Sequence, residues 1–224
     1  MPAKEPAAHP PFKKSVAREY LESIVVAVIL ALFIRTFVVQ AFKIPTGSME
    51  TNLLIGDHLL VNKVVYSPGA GGLEDWIVAR KPIARGHVVV FKFPEEPARD
   101  FIKRVIGLPG ETVEIRNKQV FINGKALDEP YVRFLEPPLR PEDPEYGLRG
   151  EARGDNWGPE TVPAGRLFVM GDNRDNSRDS RFWGFLPDYR MKGRALCVYW
   201  PLSRWRLIRP QYGKPRGSCD ETGP

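Results

Sequence analysis

The octapeptide Lys43-Ile44-Pro45-Thr46-Gly47-Ser48-Met49-Glu50 follows the only long apolar segment of the chain and precedes a series of strand-like runs. Pro45 restricts φ and Gly47 permits unusual backbone angles, so the turn favours one hydroxyl, that of Ser48, held in a single exposed place. A linker turn at the end of a membrane helix is the alternative, because motifs this short often occur without a function. Two later stretches favour a chemical role: residues 100–110 and residues 171–181.

The apolar segment before this turn is long enough for a membrane anchor. Residues 24–34 are an unbroken apolar run of 11 residues, and the stretch 20–39 is interrupted only by Glu22 and Arg35. A helix that crosses a bilayer needs about 20 mostly apolar residues. The sequence therefore predicts one transmembrane helix over residues 20–42. The lysines of the preceding tail, residues 1–19, favour a cytoplasmic amino terminus.

Two other interpretations of the apolar segment stay open. A cleaved signal peptide would have the same basic start and apolar centre, with Val39-Gln40-Ala41 as its cleavage site, although Arg35 interrupts the segment just before that site. A buried helix of a soluble protein would be expected to show a polar face, which this run lacks.

Composition narrows the class of protein. The chain has 224 residues, and its 22 prolines and 20 glycines favour many turns and short strands. The net charge of +6 comes without an RNA-binding motif or zinc-ligand spacing, so we expect no nucleic acid and no metal, whereas anionic membrane lipid fits the charge. Cys197 lies in an apolar run and is expected to be buried, and its pairing with Cys219 stays open.

The remainder of the chain is predicted to be mostly β. Apolar and β-branched runs bounded by turn residues predict strands, and Asn117-Lys118 predicts a hairpin turn. Residues 136–160 are rich in proline, glycine and charge and are expected to form a long loop. The predicted strands are 57–65, 86–93, 101–106, 112–116, 119–122, 167–170 and 195–200.

A serine hydroxyl becomes a useful nucleophile only when a base removes its proton. His58 and His87 each begin a predicted strand and leave a Ser-His-Asp triad open. Lys103 is the other candidate, because it lies in an apolar strand where burial would lower its pKa. Alternation puts Lys103 and Arg104 on opposite faces, so one can point inward while the other stays solvated. An edge-strand lysine with its ammonium in water is the alternative.

Four blocks of the chain occur in a fixed order. They are residues 44–49, residues 56–63, the run from Arg85 through 101–104 to Gly110, and residues 171–177 continued by Asp179, Ser180, Arg181 and 183–185. Together they resemble the bacterial type I signal (leader) peptidases over roughly residues 20–200. Two positions depart from the family pattern, at Thr51-Asn52 and Arg85-Gly86-His87, and neither falls on a catalytic position.

The resemblance implies Ser48 as the nucleophile and Lys103 as the general base. The backbone N–H of Ser48 and the hydroxyl of Thr46 would form the oxyanion hole, and Ser177 would orient the lysine amine. Further expected residues support the site or line its pockets. The supporting residues are Asp179, Arg181, Asp172 and Arg104, and the pocket residues are Ile44, Met49, Leu53 and Ile102.

The resemblance also implies an architecture and a location. We expect an antiparallel β-sheet catalytic core with a smaller inserted β region and one amino-terminal anchor in the bacterial inner membrane. The catalytic part would lie outside the cytoplasm and act on secretory precursors beside membrane lipid, without a cofactor, selecting small residues one and three positions before the cut. The expected segments after the anchor are core residues 43–110, an inserted region 111–160, core residues 161–212 and a tail 213–224.

Two rival functions are weighed against this one. The self-cleaving repressors are also Ser-Lys proteases, but they would need a DNA-binding region and no anchor. A membrane-anchored, non-enzymatic β module could use the acidic block 171–179 to bind a cation or partner, but the spacing does not fit the 12-residue calcium loop.

Overall fold

The computed structural model describes residues 16–63, 82–96, 98–137 and 154–210 and divides the chain into two units, residues 1–38 and residues 39–224. In the first unit, helix α1 spans Val16–Phe33 and continues as a π-helical turn over Ile34–Val38. The large apolar side chains of α1 are exposed. Within the described ranges, no helix combines the length and the apolar character needed to cross a membrane.

The end of the helical segment differs from the prediction. Residues 39–42 were expected to belong to the anchor, but Val39–Lys43 forms strand β1, which pairs antiparallel with strand β2, His58–Asn62. Burial alternates from residue to residue over 40–43, as in a strand with one covered face, and pairing with β2 satisfies backbone groups of β1.

The second unit contains an eight-stranded antiparallel sheet, which confirms the mostly β prediction. Its order is β1-β2-β11-β3-β4-β9-β10, and β12 pairs with β11. Helix α2, Ser180–Trp183, lies between β9 and β10 in the sequence. The other strands are β2 His58–Asn62, β3 Val88–Lys92, β4 Asp100–Gly107, β9 Arg166–Met170, β10 Leu186–Pro187, β11 Met191–Trp200 and β12 Arg206–Leu207.

A smaller four-stranded sheet has the order β7-β6-β5-β8. The predicted hairpin turn is present: Asn117 and Lys118 have φ of 49° and 68°, the positive angles that a two-residue hairpin loop requires. The strands are β5 Thr112–Arg116, β6 Gln119–Ile122, β7 Lys125–Ala126 and β8 Trp157–Thr161.

Strand β8 corrects the prediction of a loop over residues 136–160. Pro159 argued against a strand there, but β8 is an edge strand that pairs only with β5, and an edge tolerates a proline. Residues 138–153 of the expected loop lie outside the described residues, as do Cys219 and the expected tail 213–224.

Strand β4 is buried on both faces. Ile102, Val105 and Ile106 belong to three different apolar clusters, and β3 and β9 flank the strand. Ile106 packs with Val113 and Ile115 of the small sheet. Every polar side chain that β4 carries toward either face must therefore find a partner inside the protein.

Candidate active site

Ser48 lies in a short 3₁₀ turn, Gly47–Met49, between β1 and β2. The N–H of Leu53 donates to the carbonyl of Met49 at 2.8 Å, and both side chains are buried in the same apolar cluster. This packing draws the turn inward, so that Ser48 is only 6% exposed. The expectation of an exposed Ser48 hydroxyl was wrong for this reason.

The amine of Lys103 contacts the hydroxyl of Ser48. Nζ donates to Ser48 Oγ at 2.6 Å and to the carbonyl of Ile102 at 3.1 Å, and Lys103 is 2% exposed. The ring of Phe101 lies 5.3 Å from Nζ. The two residues are 55 positions apart in the chain. Lys103 is thus a buried residue of the central strand β4, and the edge-strand alternative is excluded.

Burial lowers the pKa of Lys103 from 10.5 to about 8. The charges of Asp179 and Asp172 oppose this shift, and that of Arg181 adds to it. At pH 7, roughly one amine in ten is then neutral, against roughly one in three thousand for an ordinary lysine. A neutral amine within hydrogen-bond reach of a hydroxyl can accept its proton.

Asp179, the N-cap of helix α2, and Arg181 in its first turn form a bidentate ion pair. Arg181 Nε donates to Asp179 Oδ1 at 2.8 Å and NH2 donates to Oδ2 at 2.9 Å. Burial alone would raise the pKa of Asp179, but the charge and hydrogen bonds of Arg181 and the N–H of Gly171 hold it below its usual value. Asp179 therefore remains a carboxylate beside the lysine.

Ser177 is buried, and within the described part of the chain its hydroxyl makes no well-formed hydrogen bond, although it lies close enough to Asp179 to help lower the pKa of that carboxylate. A Cβ added to Gly171 would lie 2.3 Å from Ser177 Oγ and 2.5 Å from the carbonyl oxygen of Ser48. The absence of a side chain at Gly171 therefore lets Ser177 and the backbone of Ser48 both approach this position closely. The orienting role expected of Ser177 is not visible as a hydrogen bond to Lys103.

Arg104 is 3% exposed, so the expectation that Lys103 or Arg104 stays solvated was wrong. Its Nε and NH2 donate to Asp172 at 2.8 and 2.6 Å, NH1 donates to the carbonyl of Gly86 at 2.9 Å, and its guanidinium lies 4.0 Å from the ring of Tyr131. Asn52 also donates to Asp172, at 2.8 Å. The arginine is tolerated inside because its donors are satisfied by a carboxylate and a carbonyl.

The other expected site residues lie close to Ser48 in the sequence, except Ile102, which precedes Lys103 on β4. Thr46 precedes the turn with an exposed side chain and extended backbone. The expected pocket residues share one apolar cluster and are 0–2% exposed, so they pack against each other and present little surface; they are Ile44, Met49, Leu53 and Ile102.

The histidines have other surroundings. His87 Nδ1 accepts a hydrogen bond from the N–H of Ala84, and burial followed by the charge of Arg194 lowers the pKa of His87 to about 4. His58 packs edge-on against Tyr199. Within the described ranges, no three His, Cys, Asp or Glu side chains are placed to hold a metal ion, and Cys197 is a buried free thiol.

Sequence reasoning gave no role to Asn173 or Arg174. The N–H of Asn173 donates to the carbonyl of Ser48 at 3.1 Å, and its Nδ2 donates to the carbonyl of Gly47 at 3.3 Å. Arg174 Nε donates to the carbonyl of Gly171 at 3.1 Å. Their place within the polar block 171–181 was the only available signal.

Comparison with known proteins identifies the family. Residues 17–200 match the family described as signal peptidase, peptidase S26. The chain is 39% identical to a signal peptidase I of Leptolyngbya laminosa, covering 93% of this chain and 92% of that protein, and 37% identical to one of Pseudomonas aeruginosa, covering 84% and 75%. A solved signal peptidase I structure from Enterococcus faecalis is 30% identical, covering 51% of this chain and 97% of that one, and its TM-score of 0.40 is too low to support an argument.

Together these matches define a serine protease and therefore a hydrolase. The chain belongs to the signal peptidase family, peptidase S26, as the four sequence blocks predicted.

Proposed function

We propose that this protein is a membrane-bound endopeptidase that removes amino-terminal signal peptides from exported precursors through a Ser48–Lys103 pair. The observation that carries the proposal is the buried 2.6 Å hydrogen bond between Lys103 Nζ and Ser48 Oγ. Family membership supports the substrate class, because the relatives are named signal peptidases.

In the proposed reaction, neutral Lys103 accepts the proton of Ser48 as Oγ attacks the scissile carbonyl carbon. The N–H of Ser48 and the hydroxyl of Thr46 stabilise the oxyanion of the tetrahedral intermediate. Lys103 then gives its proton to the leaving amine, which leaves an acyl-enzyme ester on Ser48. Water hydrolyses this ester with Lys103 again as the base, and the free serine is restored.

The preference for small residues is part of the same proposal. Ile44, Met49, Leu53 and Ile102 flank the two reacting residues in the sequence and are tightly packed in one cluster. Tightly packed side chains cannot move far. A pocket lined by them would therefore admit an alanine side chain and exclude a large one by steric overlap. This matches cleavage after sites of the Ala-x-Ala type.

We also propose attachment to the bacterial inner membrane by a single helical segment within residues 20–42, with a cytoplasmic amino terminus. The exposed apolar side chains of α1 support this part. Separately, the β unit exposes Trp200, Leu202, Trp205 and Leu207 to 53–72%. Arg206 and Arg209 lie beside these residues in the sequence and are exposed, whereas Arg204 forms an ion pair with Asp57 at 3.0 Å. Tryptophan favours membrane interfaces and arginine favours anionic lipid.

Cleavage of a precursor tests the proposal. Purified full-length protein in lipid should cut a precursor with an Ala-x-Ala site after the second alanine, and should leave a Leu-x-Leu version intact. Ser48→Ala and Lys103→Ala should each abolish cleavage. Because the two residues act as one unit, the double variant should be little worse than either single one. Near-normal turnover by Lys103→Ala would exclude the lysine as the base.

A further inference from the structure

The segment Glu129–Glu136, which follows β7 of the small sheet, pairs with the loop that holds the Ser48 turn. We call residues 129–136 the connecting segment. The N–H of Arg133 donates to the carbonyl of Asp172 at 2.8 Å, and the N–H of Arg174 donates to the carbonyl of Arg133 at 3.0 Å. This pairing forms a parallel bridge between Arg133 and Asn173. The connecting segment is therefore hydrogen-bonded to the residues on either side of Asn173, and Asn173 itself bonds the carbonyl of Ser48.

A buried ion pair joins the two segments beside this bridge. Arg174 NH2 donates to Glu129 Oε1 at 2.5 Å, and the two side chains are 2% and 7% exposed. The hydroxyl of Tyr131 also donates to Glu129, at 2.9 Å. Burial and then the charge of Glu129 raise the pKa of Tyr131 well above its ordinary value, so Tyr131 remains a donor.

Arg174 depends on Glu129 for compensation of its charge. Among the described residues, Glu129 is the one carboxylate within 4.0 Å of the Arg174 guanidinium, and NH1 makes no hydrogen bond. A buried cation that loses its carboxylate is strongly unfavourable, because water cannot replace the lost partner. Without Glu129, Arg174 would have to move, and the backbone around it would move too.

The backbone of Arg174 is linked to both reacting residues. The preceding residue, Asn173, donates its N–H and its Nδ2 to the carbonyls of Ser48 and Gly47. The carbonyl of Arg174 accepts a hydrogen bond of 2.6 Å from Arg181 NH2, and Arg181 pairs with Asp179 beside Lys103. A shift of Arg174 would therefore displace the Ser48 turn and the charges around the lysine amine.

We infer that Glu129 is a positioning residue for the Ser48–Lys103 pair, acting through Arg174 on the loop that bonds the Ser48 turn. This inference rests on the proposed function, because positioning has a consequence only if the pair reacts. Glu129 itself belongs to the connecting segment and touches neither reacting residue. The connecting segment that follows the small sheet thus contributes to catalysis through one buried ion pair.

The test uses the full-length protein in detergent and a soluble peptide with an Ala-x-Ala site. Glu129→Gln keeps the shape of the side chain and removes its charge, and Glu129→Asp keeps the charge but withdraws it by one methylene. Glu114→Gln is the matched control, because it removes a carboxylate of the same small sheet that pairs with Arg116 at 3.3 Å near the surface. The double variant Glu129→Gln/Arg174→Gln removes both charges together. Unfolding temperature, kcat and KM are measured for each.

We expect Glu129→Gln, in folded protein, to lower kcat roughly ten- to a hundredfold while KM changes less than about threefold, since substrate contacts are kept and geometry is lost. Glu129→Asp should lose less, and Glu114→Gln should match the wild type. The double variant should recover at least about fivefold in kcat over Glu129→Gln, because the uncompensated cation is gone.

Two results would overturn the inference: a folded Glu129→Gln variant with wild-type kcat, or a loss confined to KM. If Glu129→Gln fails to fold, the same two criteria are applied to Glu129→Asp. If neither variant folds, the role of Glu129 is purely structural and the inference is overturned. An inactive wild type would refute the proposed function instead. An active wild type with unchanged Glu129 variants would refute only the role of Glu129.

Discussion

Burial makes the charged form of Lys103 unfavourable. Because the neutral amine is the form that accepts a proton, this burial makes Lys103 useful as a base. Desolvation destabilises its charged form, while Asp179 and Asp172 offset part of that effect. A fully buried lysine without these carboxylates would have a still lower pKa. The balance puts the pKa of Lys103 at about 8, close enough to neutrality for a base that must accept and return a proton.

The first prediction at this scale concerns the pH dependence of cleavage. Because the neutral amine is the active form, kcat/KM should rise about tenfold per pH unit below pH 8 and level off above it. Protonation at lower pH removes the base and therefore the activity. Measurement of kcat/KM from pH 5 to 10 with a soluble peptide checks this. An acidic limb centred near pH 6.5 would indicate a histidine instead.

The second prediction concerns stability. The folded pKa of Lys103 is below its unfolded value of 10.5, so the unfolded state binds more protons between about pH 8 and pH 10.5. The cost to folding is full below pH 8 and disappears above pH 10.5. Lys103→Met should therefore raise the free energy of unfolding at pH 7 by about 2 to 3 kcal/mol and abolish activity. Urea unfolding at pH 7 and pH 10.5 measures this gain, and an equal gain at both pH values would contradict the explanation.

At the level of secondary-structure elements, the loop after β9 packs closely against the Ser48 turn. Asn173 bonds the turn through its backbone and side chain, Asp179 accepts from the N–H of Gly171, and Ser177 packs where a side chain at Gly171 would lie. Strand β4 contributes Lys103 to one side of this contact and Arg104 to the other. Two elements distant in sequence thus meet through close backbone contacts.

Gly171→Ala tests this close fit. The added methyl group would overlap Ser177 Oγ and the Ser48 carbonyl, so we expect a loss of about 1 to 3 kcal/mol in stability and at least about a hundredfold loss in kcat. Gly110→Ala is the control: its Cβ meets no atom within 4 Å, but its φ of +83° makes alanine cost about 1 to 2 kcal/mol. Wild-type kcat in Gly171→Ala, measured on folded protein, would show that the contact is not needed.

At the scale of the whole molecule, the two largest groups of exposed apolar residues within the described ranges lie in two separate stretches of the chain. One is helix α1, and the other is the carboxy-terminal stretch from Trp200 to Leu207. Each belongs to its own unit, and each is an unusual surface for water alone. Both support the proposed contact with lipid.

Tryptophan fluorescence tests lipid contact of the carboxy-terminal stretch. In vesicles of anionic lipid with brominated acyl chains, we expect quenching of Trp205, which is 61% exposed, and a weaker total quenching in Trp205→Phe. Trp157→Phe is the control, because Trp157 packs against Phe168 with ring centroids 4.4 Å apart. Equal quenching in the two variants would place this stretch in water.

The local pattern of the sequence was sufficient for the hairpin turn and for most of the longer strands, whereas the choice of Ser48 and Lys103 as candidate reacting residues came from the family resemblance. Alternation, turn residues and the motif around Ser48 act over a few positions, so they can be read from neighbours in the chain. The predicted antiparallel β architecture and the family were confirmed. The edge strand β8 was missed because its proline and glycine resemble a loop, and only its pairing with β5 makes it a strand.

Burial and partners were decided by the tertiary structure. Sequence alternation puts Lys103 and Arg104 on opposite faces, but only the position of β4 between β3 and β9 shows that both faces are covered. Lys103 meets Ser48 across 55 positions and Arg174 meets Glu129 across 45. Contacts of this range depend on which strands become neighbours, so the depressed pKa of Lys103 and the role we assign to Glu129 follow from the packed sheets.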